Sequence, residues 1–352
     1  MSNAAPDYPL KLTPIYKDKV WGGATLREQL GRDIPSDSVG ESWELVDLAQ
    51  TSASGGGGGS EFSVIANGPL AGTTLHDAIA MHGSALMGNL PLSEAGGFPI
   101  LLKYLDAKRN LSVQVHPSPA YAAAHDDAFL KSESWYIVHA EPDAVIYKGM
   151  APGVTPEQLR AALEQNNDEA VVPLMEAHRV RAGDCHYLPS GTCHALGGGI
   201  LVAEVQTPSD TTFRVYDWGR EGRELHVDAA IDCIDFAPAQ TAQHDTRTPV
   251  GNAKLNSSHS QVTRVVSCEH FVVHEVRAEP GFADACGEPE VTAWMVLEGA
   301  VTLTCDAGET VELVAGDTVL LPPAMSGGEV RSAEGALFLE ISFPQAYASR
   351  LA

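Results

Sequence analysis

Three short stretches of the chain carry side chains suited to acid, base or metal chemistry. In Leu111-Ser112-Val113-Gln114-Val115-His116-Pro117 apolar and polar residues alternate. Side chains of an extended strand change face with period two, so Gln114 and His116 project from one face about 7 Å apart, both able to reach one metal ion. In Lys131-Ser132-Glu133-Ser134-Trp135 the same alternation puts Lys131 and Glu133 on a common face, setting a cation beside a candidate carboxylate ligand. The third stretch, Gly183 to His194, reads as a turn, a short strand, a Pro/Gly bend and a final His, with the spacing G-x5-P-x-G-x2-H.

The elements that must position these residues are mostly strands. Runs rich in Val, Ile, Leu and aromatic residues recur between Gly, Pro and Asp at Phe98–Tyr104, Leu111–His116, Trp135–Val138, Ala144–Lys148, Ile200–Gln206 and Phe213–Tyr216, the pattern of an all-β sandwich or barrel. Thr74–Met87 has a roughly helical apolar period. Thr155-Pro156-Glu157-Gln158 offers a Thr N-cap, Pro at the first helical position and Gln at the third, followed by Leu159, Ala162 and Leu163 at helical spacing; it predicts a small helical insert over about 155–180. The run from Ser54 to Ser60 is Ser, five Gly and Ser, which cannot pack side chains and reads as a surface loop tip. Residues 237–260 are polar and aperiodic, so a boundary is expected near 240–260. The predicted organisation is thus 1–240, a linker at 241–260, and a second β unit at 261–352. That second unit takes its strands from Phe271–Val276, Ala293–Leu297, Val301–Thr304, Thr318–Leu321 and Ala336–Ile341.

Composition bounds the function. At about 100–200 residues per domain, 352 residues suit two domains or one large one. Lys and Arg total 22 against 46 Asp and Glu, a net charge of −24, which repels polyanions and argues against nucleic acid as a partner. Gly 33 and Pro 22 in a chain with 44% hydrophobic residues stay below the ~25–30% Gly plus Pro that marks disorder. The first residues lack the basic and apolar regions of a secretory signal, and no run of about 18 apolar residues follows. The expectation is a soluble cytoplasmic protein without membrane association. Six scattered cysteines with no C-x-x-C pair are expected to be reduced and mostly buried.

The G-x5-P-x-G-x2-H spacing resembles the second motif of the cupin superfamily, whose jelly-roll barrel presents the final His to a metal. Together with Ile15–Gly23, the segment Gly40-Glu41-Ser42-Trp43-Glu44, the Gln-Val-His strand, Lys-x-Glu-x-Trp-Tyr and Ser209–Asp217, the set resembles the type I mannose-6-phosphate isomerase family in its short bacterial form. The similarity is strong from about residue 10 to 235 and weak beyond.

The resemblance implies an all-β-dominated fold of two cupin units with a small helical insert. It implies a Zn²⁺ ion held by Gln114, His116, Glu133 and His194, a donor set that zinc accepts while keeping positions open for water or sugar oxygens. It also places Lys103, Lys131 and Arg214 at the substrate, with Arg214, Lys131 and Asp210 in catalytic roles. Three cations in so acidic a chain suit a sugar phosphate, Arg as a bidentate donor and Lys as a point charge. The implied reaction is the reversible conversion of mannose 6-phosphate to fructose 6-phosphate through a cis-enediol, by a monomer or small homo-oligomer.

Tyr16, Trp21, Trp43 and Trp135 read as core or scaffold, and His125, His139, His178 and His186 fit no ligand spacing. In the second unit the cupin spacing runs from Gly316 to Pro322 and then departs, with Ala324 for Gly and Gly327 for His, so that unit is expected to be metal-free. Two other readings stay open from the residues: a metal-dependent cupin oxygenase or decarboxylase, against which Gln114 argues, and a two-cupin sugar-binding protein, against which the ligand set argues. Bound zinc, bound iron or manganese, and no metal would separate the three.

Overall fold

The computed structural model describes residues 6–52, 59–237, 247–251, 255–287, 289–325 and 327–344. Antiparallel strands dominate it, as the sequence predicts. Two large sheets form from the first 216 residues, beside a two-stranded pair of Asp47–Leu48 with Glu61–Phe62. One has six strands in the order Cys185–Leu188, Glu133–Ala140, Ile200–Gln206, Leu101–Ala107, Val39–Leu45 and Ile15–Gly23; the other has five, Met175–Arg179, Val145–Met150, His194–Leu196, Val113–Val115 and Phe213–Tyr216. A third, eleven-stranded sheet takes in the C-terminal strands.

The central strands of the six-stranded sheet are mostly apolar runs, broken by Lys103, Asp106 and Glu204, and both their faces are covered. On Leu101–Ala107 and Ile200–Gln206 every residue is buried. Leu102, Tyr104, Leu201, Ala203 and Val205 join the large core shared with the C-terminal strands, while Leu105, Ala107, Ile200 and Val202 join a second core with Trp135 and Ile137. The period of two thus divides each strand between two interiors. Polar pins cross the shared face: Tyr104 donates to the Val296 carbonyl at 3.3 Å and Tyr136 to Glu275 Oε2 at 2.6 Å.

The helical insert begins as the sequence predicts. Thr155 accepts from the Gln158 amide and Gln158 reaches back to the Thr155 amide, opening the helix Pro156–Gln165. It ends sooner than predicted: after Asp168–Val171 and a 3₁₀ turn at Val172–Leu174, residues Met175–Arg179 pair with Val145–Met150 as an edge strand. The period over Thr74–Met87 resolves into two helices, Leu75–His82 and Ser84–Met87, broken at Gly83 with φ 45°. Most of the Gly run from Ser54 to Ser60, and much of 237–260, lie outside the described residues.

The strands predicted at Ala293–Leu297 and Val301–Thr304 are one 14-residue strand, Thr292–Cys305, continuous through a bulge after Val296. The N-terminal strand Leu10–Thr13 is bonded into the C-terminal sheet, Leu10 opposite Leu320 and Lys11 opposite Val319. Leu10 is fully buried there. Leu10→Ala is expected to cost about 2–5 kcal/mol, read as a lowered urea midpoint with an unchanged denaturant slope. All six cysteines are buried and unbridged, and no helix among the described residues is long and apolar enough to cross a membrane.

Candidate active site

The two sheets of the N-terminal part face each other, and their inward side chains meet in one cluster. His194 lies opposite Gln114, and Gln114 opposite Arg214, across three neighbouring strands of the five-stranded sheet. Glu133 starts a strand of the other sheet. Its Oε1 stands 3.2 Å from His194 Nε2 and its Oε2 3.3 Å from His116 Nε2. The bend that delivers His194 needs its glycine: Gly191 has φ 86° and its amide donates to the His116 carbonyl at 3.2 Å, tying two ligand-bearing segments together.

His116, Glu133 and His194 are all buried, with donor atoms within 4.8 Å of one another. Each ring directs Nδ1 to a backbone carbonyl, His116 to Thr211 at 2.9 Å and His194 to Thr192 at 2.8 Å. Burial pushes His116 down to about 3 and lowers His194 as well. Both rings are therefore neutral near pH 7, with the proton on Nδ1 and a lone pair on Nε2 aimed inward. Burial opposes ionisation of Glu133, but the Lys131 ammonium at 2.8 Å together with the His116 and His194 imidazoles outweighs it and holds the carboxyl well below its ordinary range.

His116 Nε2 and Glu133 Oε1 are buried without a hydrogen-bond partner, and Glu133 Oε2 has its ion pair with Lys131; the two bare atoms are costly unless something else occupies the space between them. The 3.2 and 3.3 Å spacings are close to the ~3.4 Å edge of a tetrahedron built on bonds of about 2.1 Å. Gln114 Nε2 lies 3.3 Å from His194 Nε2, and its Oε1 accepts from Ser112 at 3.2 Å. Turning that amide over presents the oxygen to the cluster while the Ser112 hydroxyl rotates to accept. These four residues fit a resident divalent metal.

A cleft is lined by Gln114, Lys103, Lys131, Asp210 and Arg214, and Gln114 and Lys131 join it to the cluster through His194 and Glu133. All eight residues singled out from the sequence therefore converge on one site. Asp210 is buried and its Oδ1 accepts from the Ser52 amide at 2.7 Å. Arg214 donates through Nη1 to the Glu224 carbonyl at 2.8 Å, while its buried Nε has no partner. Burial lowers Lys103. It would lower Lys131 too, but Glu133 and Glu204 outweigh it and raise that ammonium instead.

Several lining residues were missed by sequence reasoning: Lys17, Lys19, Glu41 and Glu204. Glu204 carried a signal, a lone carboxylate in the apolar run Ile200–Gln206. Burial first, then the Glu133 carboxylate, pushes it up to about 7, and it accepts from Trp135 Nε1 at 3.1 Å. Burial also pushes Glu41 up, but Lys19 at 3.0 Å and Lys103 overcome this and hold it at about 2. Trp135 is buried, as a scaffold residue should be, whereas Trp21 and Trp43, read likewise as scaffold, are buried and also line the cleft. His125, His139, His178 and His186 take no part in the cluster.

Comparison with known proteins identifies the family. Residues 10–138 match the model of the phosphomannose isomerase type I catalytic domain, and residues 271–336 that of the EutQ-like cupin domain. The chain is 36% identical over 327 residues to mannose-6-phosphate isomerase ManA of Bacillus subtilis, an alignment spanning 89% of this chain and 93% of that protein. It is also 36% identical over 272 residues to the mannose-6-phosphate isomerase of Streptococcus mutans, spanning 76% and 78% of the two chains. The crystal structure of the Bacillus subtilis mannose 6-phosphate isomerase superposes with a TM-score of 0.79 at 30% identity, covering 95% of this chain and 98% of that one. A phosphomannose isomerase from Salmonella typhimurium shares the fold, with a TM-score of 0.71 at 16% identity and coverage of 95% and 99%. With its two β-sheet interiors, its buried His-Glu-His cluster and relatives matched over most of their length, the chain belongs to the type I mannose-6-phosphate isomerases, a family of cupin-fold aldose–ketose isomerases.

Proposed function

We propose that this protein interconverts mannose 6-phosphate and fructose 6-phosphate through a cis-enediol, using a Zn²⁺ ion held by Gln114, His116, Glu133 and His194. The observation that carries this reading is the set of inward, unpartnered donor atoms beneath a cleft walled by cations. When bound, the ion supplies Lewis acidity toward the sugar oxygens at C1 and C2. The remaining work falls to the chain.

Arg214 has an unpartnered buried Nε and shares the negative charge that develops on the enediolate oxygens, as a planar donor suits. Lys131, fixed 2.8 Å from Glu133, keeps that carboxylate ionised and adds positive potential at the reacting end. Lys103, opposite Glu204 across the sheet, lies on the cleft wall and binds the sugar phosphate. Asp210, its Oδ1 held by the Ser52 amide, is the carboxylate assigned to relay a proton during ring opening. The burial of His116, Glu133 and His194 keeps bulk water from the triad. A phosphorylated substrate also agrees with a cytoplasmic location.

The test is fructose 6-phosphate formation from mannose 6-phosphate in a coupled assay, before and after chelation and again with zinc restored. Activity is expected to vanish and return. A folded, zinc-loaded protein that forms no product would remove the isomerase reading. Recovery with iron or manganese but not zinc would remove zinc.

A further inference from the structure

A line of contacts leads from the triad outward along the cleft. Glu133 holds Lys131 at 2.8 Å, and Glu204 beside them faces Lys103 at 3.8 Å. Lys103 Nζ lies 4.5 Å from the centre of the Trp43 ring, and Lys17 Nζ lies 4.4 Å from the same centre. Lys17 in turn pairs with Glu61 at 2.5 Å. Exposure rises along the line: the side chains of Lys131 and Lys103 are each 6% exposed, those of Lys17 and Glu61 21% and 28%. The triad is thus the buried end and Lys17 the open end of one polar track. Both Lys17 and Lys103 line the cleft, and nothing in the mechanism above uses Lys17.

The partners of the cations differ in a way that matters. Lys131 and Lys103 face acidic groups sealed in the interior, Lys131 against Glu133 and Lys103 against Glu204, and Glu41 also acts on Lys103; removing those cations would strand buried charge. Glu61 is partly exposed on the short strand Glu61–Phe62, so it can return to water at little cost. Lys17 is therefore the cation on this track whose anion is cheapest to exchange. Resting on the sugar-phosphate reading above, we infer that Lys17 anchors the phosphate group of the substrate at the outer end of the cleft, and that Glu61 occupies this place when no phosphate is bound. Trp43 holds the two ammoniums against its ring by cation–π attraction, and its Nε1 is fixed to Glu41 Oε2 at 2.7 Å. It spaces the anchor Lys17 from Lys103 without touching the reacting atoms.

The exchange makes the two members of one ion pair act in opposite directions, which a merely structural pair would not do. The probe is inorganic phosphate, titrated calorimetrically at low salt into the metal-loaded full chain. Lys17→Met is expected to weaken binding about tenfold, and Glu61→Gln to tighten it about threefold by removing the competing carboxylate. The KM for mannose 6-phosphate should move in the same two directions. Lys11→Met, which removes a cation paired with Asp317 at 2.7 Å outside the cleft, controls for net charge, and thermal unfolding checks that each variant is folded. The inference is overturned if Lys17→Met shifts phosphate binding no more than Lys11→Met does. It is equally overturned if Glu61→Gln weakens binding or leaves it unchanged. Phosphate binding is read without turnover, so failure here is distinct from failure of the isomerase reading, which shows as no product formed by the zinc-loaded wild type.

Discussion

His194→Ala is expected to lower turnover by at least about 10³-fold and to leave the purified protein with little bound metal. The reason lies in how completely the site is committed to an ion. His194 is 1% exposed, its Nδ1 is spent on the Thr192 carbonyl, and its Nε2 faces Glu133 Oε1 at 3.2 Å. Truncation removes a neutral donor and leaves the Glu133 carboxylate with one fewer group to balance its burial. Loss of Lewis-acid assistance forfeits several kcal/mol of barrier lowering, and about 4 kcal/mol corresponds to 10³ in rate. Metal stoichiometry and the coupled assay should be measured on the same sample, with a thermal melt to show that it is folded. A variant that keeps one zinc per chain and near-normal turnover would take His194 out of the site.

Arg214→Ala is expected to behave differently: kcat falls about 10²–10³-fold while metal content stays at the wild-type level. Arg214 is held through Nη1 on the Glu224 carbonyl and is itself no ligand, so its loss leaves the His-Glu-His geometry in place. A donor aimed at developing oxyanion charge is worth about 2.7–4 kcal/mol in the transition state. Because that charge is absent from the ground state, KM should change less than kcat. Arg214→Lys should recover only part of the loss, since an ammonium cannot reproduce the planar fork. Unchanged turnover in Arg214→Ala would remove it from the mechanism. The two variants together separate metal binding from charge stabilisation: one loses both, the other loses rate alone.

Much of the site was legible because its parts are local. Gln114 and His116 share a strand face by period two, and the Gly-to-His spacing of 183–194 encodes its own bend through the positive φ of Gly191. The capping box at Thr155–Gln158 was legible for the same reason. Lys17 and Glu204 were not. Glu204 stands out only as a lone carboxylate in an otherwise apolar run, and its position beside Lys103 follows from the register of two strands roughly a hundred residues apart. Lys17 reads as a polar residue of an ordinary strand until Trp43 and Glu61 are placed against it. The end of the helical insert was misplaced because Met175–Arg179 has partly exposed alternate residues and gains its strand character from pairing with Val145–Met150.

The sequence by itself determined the strand content and the local placing of its polar side chains, Gln114 beside His116 on one strand and the bend that precedes His194. These follow from side-chain chemistry and from periods of a few residues, which each segment carries alone. Tertiary structure decided what those groups become. Facing sheets bring Glu133 to within 3.3 Å of both imidazoles, and burial leaves the rings neutral and His116 Nε2 without a hydrogen-bond partner. It also decided that the first strand of the chain completes the C-terminal sheet. Burial and long-range register are properties of surfaces that meet only on folding, and no local spacing contains them.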